Sequence, residues 1–234
     1  MEYIYEAFAK ALQLITALDN ELLAIVLLSL EVSLGALCIA SLAAIPLGVA
    51  IGLRSFPLRG LVLSIVNTCV GLPPVVVGLF VFLFLSRSGP LGGLGLLYTP
   101  TAMVVAQIIL AFPIIVSLVQ SAVSGVDPMV RLTALTLGAT PQQADRVVVR
   151  EAGTGIIAAL VAGYGRLAAE VGAILIVGGN IAGATRVMTT TIAMEADKGN
   201  FELALALGII LLSISLMINA VLSAMQQRGM RRNL

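Results

Sequence analysis

Long stretches without a charged side chain recur from one end of this chain to the other, and they constrain its fold more than any other feature. Residues 32 to 53 hold no charge, 22 positions in all (53 − 32 + 1). As a helix rising about 1.5 Å per residue they reach roughly 33 Å, enough to cross a bilayer core of about 30 Å. Four more stretches follow: Leu61 to Ser86, Thr99 to Val126, Thr154 to Val177 and Leu203 to Gln227. All but the fourth are uncharged, and the fourth carries Arg166 and Glu170. Pro73-Pro74 predicts a kink or break in the second, and Pro113 lies inside the third. Only 11% of residues are charged, against roughly 25% in soluble domains, so the apolar surface calls for lipid. The expectation is an all-α integral membrane protein with about five transmembrane helices, and residues 21–227 forming one membrane domain.

Residues 1–20 read differently. Ile4, Phe8, Ala11, Leu12, Ile15 and Leu18 recur at helical spacing, with Glu6 and Lys10 on other faces. The segment is too short and too charged to span, and predicts an interfacial amphipathic helix. It lacks the pattern of a cleavable signal.

With the N-terminus outside, eight basic residues fall on inner segments: Arg54, Arg59, Arg131, Arg146, Arg150, Arg228, Arg231 and Arg232. Four fall outside: Lys10, Arg87, Arg186 and Lys198. The bias places the C-terminal basic tail, 228–234, in the cytoplasm.

The inner segment 127–153 is far longer than a connection needs to be. Asp127-Pro128 has the chemistry of an N-cap followed by proline at the first helical position. Gly138 suits the position just past a helix end. Thr140-Pro141-Gln142-Gln143 restarts a helix with capping-box spacing. Two capped helices projecting into the cytoplasm make a docking element.

Other chemistry is sparse. The chain has no histidine, the usual general base and commonest metal ligand, and no acid-base or nucleophile constellation, which argues against an enzyme. Cys38 and Cys69 each sit in apolar runs as small hydrophobes. A net charge of +1 gives no reason to expect nucleic acid. No Gly-x-x-x-x-Gly-Lys-Ser/Thr loop occurs, so this chain would not itself handle ATP. Arg166 and Glu170, four apart, predict an intramembrane ion pair that fixes the helix against its neighbours, the alternative being a pathway residue that contacts an anion. Gly163, Gly165 and Gly172 around them are expected to permit close helix packing. Between Val177 and Gly199 glycines, Asn180, Thr185, Arg186, Thr189 and Thr190 cluster, donors of the kind a tetrahedral oxyanion needs. The same composition also suits a polar outer loop.

The capped loop resembles that of ATP-binding-cassette importer permeases, which reads Glu-Ala-Ala, three residues, Gly, then a stretch ending Ile-x-Leu-Pro. Leu132 and Thr133 replace the first two residues, Ala134 matches the third and Gly138 the glycine, with Ala139, Thr140 and Pro141 following. Val148 takes the isoleucine position, and Arg150-Glu151 replaces Leu-Pro. More of the chain is similar to the tungstate-type permeases, a branch related to molybdate and sulfate permeases. The carrying residues are Gly71 to Leu79, Gly165-Arg166, Glu170-Val171-Gly172, Gly178 to Ile181, Thr185-Arg186, Met188 to Thr190 and Lys198-Gly199. The resemblance implies a type I importer permease fold in a prokaryotic inner membrane. It implies a homodimer forming the oxyanion pathway, two cytoplasmic ATPase subunits and an extracytoplasmic oxyanion-binding protein. ATP and Mg would be used by the ATPases, with no cofactor on this chain. A secondary transporter or channel is the alternative, against which stand the few spans and the absence of an internal repeat.

Overall fold

A computed structural model describes residues 20–231, together with Lys10 and Gln13. The proposed interfacial helix and the last three residues of the basic tail therefore lie outside the described residues. Among the described residues every regular element is helical.

The first span is α1, Asn20–Leu53, which continues through Pro46. It packs along α4, Pro100–Ser124, and this pair is the spine of the molecule. A stripe of five small residues spaced four apart allows it. Ala36, Ala40 and Ala44 are buried, and the stripe continues to Gly48 and Gly52. A Cβ at Gly48 would lie 2.8 Å from Val119 Cβ, and one at Gly52 2.7 Å from Val123 Cβ. Real side chains do not approach so closely, so glycine sets the helix separation. Beyond the end of α1, Arg59 donates from Nε to the Ile51 carbonyl at 3.2 Å and from Nη2 to Ser124 Oγ at 3.1 Å. One guanidinium thus caps the C-terminal ends of both helices, where their dipoles favour a cation.

The second stretch breaks where Pro73-Pro74 predicts. α2, Arg59–Val70, and α3, Pro74–Leu85, meet at 93°. A short 3-10 turn, Gly92–Leu94, leads to Thr99, which caps α4. After α4 come α5, Pro128–Thr136, and α6, Pro141–Glu151, the expected hairpin. α6 turns by 53° into α7, Gly153–Ala168.

The fourth span departs from the expectation of one continuous helix. α7 ends at Ala168, and α8, Gly172–Gly178, begins after a short break. Gln107 of α4 reaches this break. Its Nε2 donates to the Leu167 carbonyl at 3.2 Å in a fully buried setting. The same carbonyl also accepts from the Glu170 amide at 3.1 Å, so Gln107 ties α4 to a carbonyl that the turn already engages. Of the three glycines expected to pack, Gly163 and Gly172 do, against Ile115 and Leu37 and against Val75. Gly165 does not: a Cβ there would meet nothing within 4 Å.

α9, Met188–Asp197, precedes the last span, α10, Phe201–Arg231. Three helices, α1, α4 and α10, are each long and apolar enough to cross a membrane. By length and composition the count reaches up to five if the bent pairs α2–α3 and α6–α7 are each taken as one span, and with α6 in the hairpin it is α7 that continues the fourth span into α8.

Candidate coupling hairpin and translocation site

The hairpin is built by local chemistry. Asp127 Oδ1 accepts from the Met129 amide at 2.8 Å, with Pro128 in the first turn. At the second start, the Thr140 amide donates to Gln143 Oε1 at 2.8 Å and the Gln143 amide donates to Thr140 Oγ1 at 3.4 Å. Between them the Gly138 and Ala139 amides return to the Leu135 and Ala134 carbonyls, each at 3.0 Å. Gly138 has φ +91°, a backbone that side chains resist. Among the described residues nothing would touch a Cβ there, so the turn itself requires glycine. A tie that the sequence did not announce closes the hairpin: Arg131 Nε donates to Asp145 Oδ1 at 2.8 Å. Leu132, Thr133 and Leu137 are exposed, as are Gly138, Thr140 and Pro141, while Ala134 and Ala139 are half-buried. Leu137 is 83% exposed at the tip. The inner end of the hairpin is anchored, since Val148 and Ala152 share a core with Ile51, Val119, Ala159, Tyr164 and Leu167.

At the other end of α7 the expected ion pair is present. Arg166 Nη1 donates to Glu170 Oε2 at 2.9 Å, although Glu170 lies beyond the helix end. Glu170 Oε1 accepts from the Ala173 amide at 3.0 Å, capping α8. Its backbone carbonyl accepts from Thr189 Oγ1 at 2.9 Å. One buried carboxylate therefore joins both halves of the broken span. A small cavity of about 20 Å³ lies beside it, lined in part by Ser29, Ser33, Tyr164, Leu167, Glu170 and Thr189. That is room for about one water.

The outer cluster is brought together, and most of its polar groups are spent inside the loop. Thr185 Oγ1 donates to the Gly178 carbonyl and accepts from the Ile181 amide at 3.0 Å. Thr190 Oγ1 lies 2.8 Å from Asn180 Oδ1 and accepts from the Val187 amide at 3.2 Å. Asn180 sits at φ +50°, which asparagine tolerates better than most residues. Both threonines are buried, so each hydroxyl satisfies backbone that water does not reach. Arg186 differs. Its Nη1 stands 3.5 Å from Glu21 Oε1 at the start of α1, and its Nε is buried without a hydrogen-bond partner among the described residues. It borders two openings of about 190 and 260 Å³. Nearby, Lys198 Nζ donates to Glu195 Oε1 at 2.8 Å and holds that carboxyl below its ordinary range. Partial burial opposes this, while the Asn200 side-chain amide and the charges of Lys198 and Arg186 reinforce it.

A doubly capped hairpin thus leads into a broken span that carries a part-buried charge pair. Residues 44–231 match the family model described as the binding-protein-dependent transport system inner membrane component. The chain belongs to that family. It is similar to a tungstate uptake system permease protein of Peptoclostridium acidaminophilum, at 42% identity over 97% of this chain and 100% of that protein. It is also similar to a Haloferax volcanii protein named "Probable anion ABC transporter permease protein", at 46% identity over 91% of this chain and 94% of that one. Among solved structures, the bacterial alginate ABC transporter in complex with its alginate pentasaccharide-bound periplasmic protein has a chain of similar fold. The TM-score is 0.69 at 22% identity, covering 90% of this chain and 80% of that one. The fold is thus that of an importer's membrane subunit, and this is a multi-pass membrane protein.

Proposed function

We propose that the chain is the permease subunit of an ATP-driven oxyanion importer, with tungstate as its substrate. The observation that carries this reading is the end-to-end similarity to a tungstate uptake permease. The hairpin supports the ATP-driven part. It offers an exposed apolar tip at Leu132 and Leu137 on a frame fixed by two caps and the Arg131–Asp145 pair. Such a tip suits the groove of a separate ATPase, which would bind the ATP and Mg.

In this reading two copies enclose the pathway, two ATPases dock below, and an extracytoplasmic binding protein delivers the anion above. The N-terminus lies outside and the C-terminus in the cytoplasm. Closure of the ATPases moves the hairpin, and the core shared by α6 and α7 passes the motion to the break at Glu170. Thr185, Thr190 and Asn180 serve the pathway by holding the outer loop in shape, and Arg186 presents charge at its mouth.

The test is uptake by proteoliposomes holding this permease, its ATPase and its binding protein. The expected result is ATP-dependent tungstate accumulation, reduced more by excess tungstate than by equal molybdate or sulfate. Accumulation without ATP would make the chain a secondary transporter or channel instead. Preference for molybdate or sulfate would reassign the substrate within the family.

A further inference from the structure

α7 presents a surface unlike that of the lipid-facing helices. α1, α3 and α10 expose large apolar side chains such as Leu42, Leu83 and Leu216. Between Val147 and Leu175 no large apolar side chain is exposed. The exposed positions on the second half of α7 and just beyond it are Ala162, Gly165 and Ala169. Arg166 lies among them, with its side chain 35% exposed while that of Glu170 is 3% exposed. Arg166 stands 13 residues beyond the start of α7 (166 − 153), or about 20 Å along a helix. That is well inside a bilayer core of about 30 Å. A guanidinium open to lipid at that depth would be strongly disfavoured, so this face of α7 meets water or protein.

We propose that Arg166 is a contact residue for the transported oxyanion, a role that rests on the proposed function. Among the described residues its guanidinium makes a single hydrogen bond, from Nη1 to Glu170, and a guanidinium carries five N–H donors in a planar fork that matches oxyanion geometry. Glu170 does not swing to follow the anion, because Ala173 N–H holds its other oxygen. The carboxylate anchors one edge of the guanidinium, and the side chain remains 35% exposed. The small neighbours leave room for an anion to approach them. Gly165 fits this arrangement, since it packs against nothing within the chain.

The test compares Glu170→Gln, Arg166→Lys, Arg166→Gln and the neutral double variant R166Q/E170Q. Each is assembled with the ATPase and binding protein and assayed for ATP-dependent tungstate uptake. Anion contact predicts that Glu170→Gln, whose Oε1 can still accept from the Ala173 amide, lowers uptake less than Arg166→Gln does. It predicts that Arg166→Lys raises the apparent KM for loaded binding protein or lowers the rate several-fold. It further predicts that R166Q and R166Q/E170Q both lose at least tenfold while the complexes still assemble. A purely structural pair predicts the reverse: either single neutralisation harms the protein, and the double variant restores uptake to within twofold. That restoration overturns the proposal. So does failure of the double variant to assemble, which would assign Arg166 to folding or to contact with a second copy. If wild type itself moves no oxyanion with ATP, the proposed function is at fault, and the Arg166 inference falls with it.

Discussion

Single residues here carry roles that follow from one or two measurable contacts. Gly138 adopts φ +91° with open space around it. A larger residue would be strained by about 1–2 kcal/mol in that conformation and would add bulk at the tip. Gly138→Leu is expected to insert normally and to hydrolyse ATP with its partner while uptake falls. Parallel ATPase and uptake assays check this, and normal coupled uptake would refute it. Thr185→Ala leaves the buried Ile181 amide and Gly178 carbonyl unpaired, at a cost of about 1–3 kcal/mol each. The outer loop should exchange amide hydrogens faster in that variant. Glu195 gives the loop a pH response. Its carboxyl is held low by Lys198, so its contribution to order is fully present above the ordinary carboxylate range. That contribution is lost as pH falls through the depressed folded value, where protonation breaks the bonds to Lys198 and Asn200. Hydrogen exchange at residues 195–200 should therefore accelerate in acid, and Glu195→Gln should flatten the response.

Elements differ in how much of them the sequence discloses. The two hairpin helices were legible because caps are local: Asp127 and Thr140 bond amides two and three residues on. The break at Pro73-Pro74 was legible in place, because proline lacks the amide hydrogen, but its 93° angle depends on what α2 and α3 pack against. The break after Ala168 was not legible. There the Glu170 amide turns back to the Leu167 carbonyl, Gln107, 60 residues away in sequence, bonds the same carbonyl, and the Glu170 side chain caps a new helix. Composition also could not separate a pathway threonine from a scaffold threonine, since both look alike until the loop closes around Thr185 and Thr190. At this scale the spine makes a firm prediction. Gly48→Val forces α1 from α4 at a 2.8 Å contact, and overpacking of this kind costs roughly 1–3 kcal/mol. Thermal unfolding in detergent should show a lowered Tm for Gly48→Val and little change for Gly60→Val, where no neighbour lies within 4 Å.

In the proposed function the whole molecule acts as a lever, with its handle at the α5–α6 hairpin and its working end at the broken span. Family membership gives the lever its setting, and the shared core of α6 and α7 gives it stiffness. The account therefore depends on where the tip lies and what covers it. Leu137→Cys, placed in a background with Cys38 and Cys69 replaced, puts a thiol at that tip without the strain a side chain would meet at position 138. Labelling with a membrane-impermeant maleimide is the most direct measurement. The account predicts modification from the cytoplasmic side only, and protection when the ATPase is bound. Modification from the exterior, or equal labelling with and without the ATPase, would contradict it.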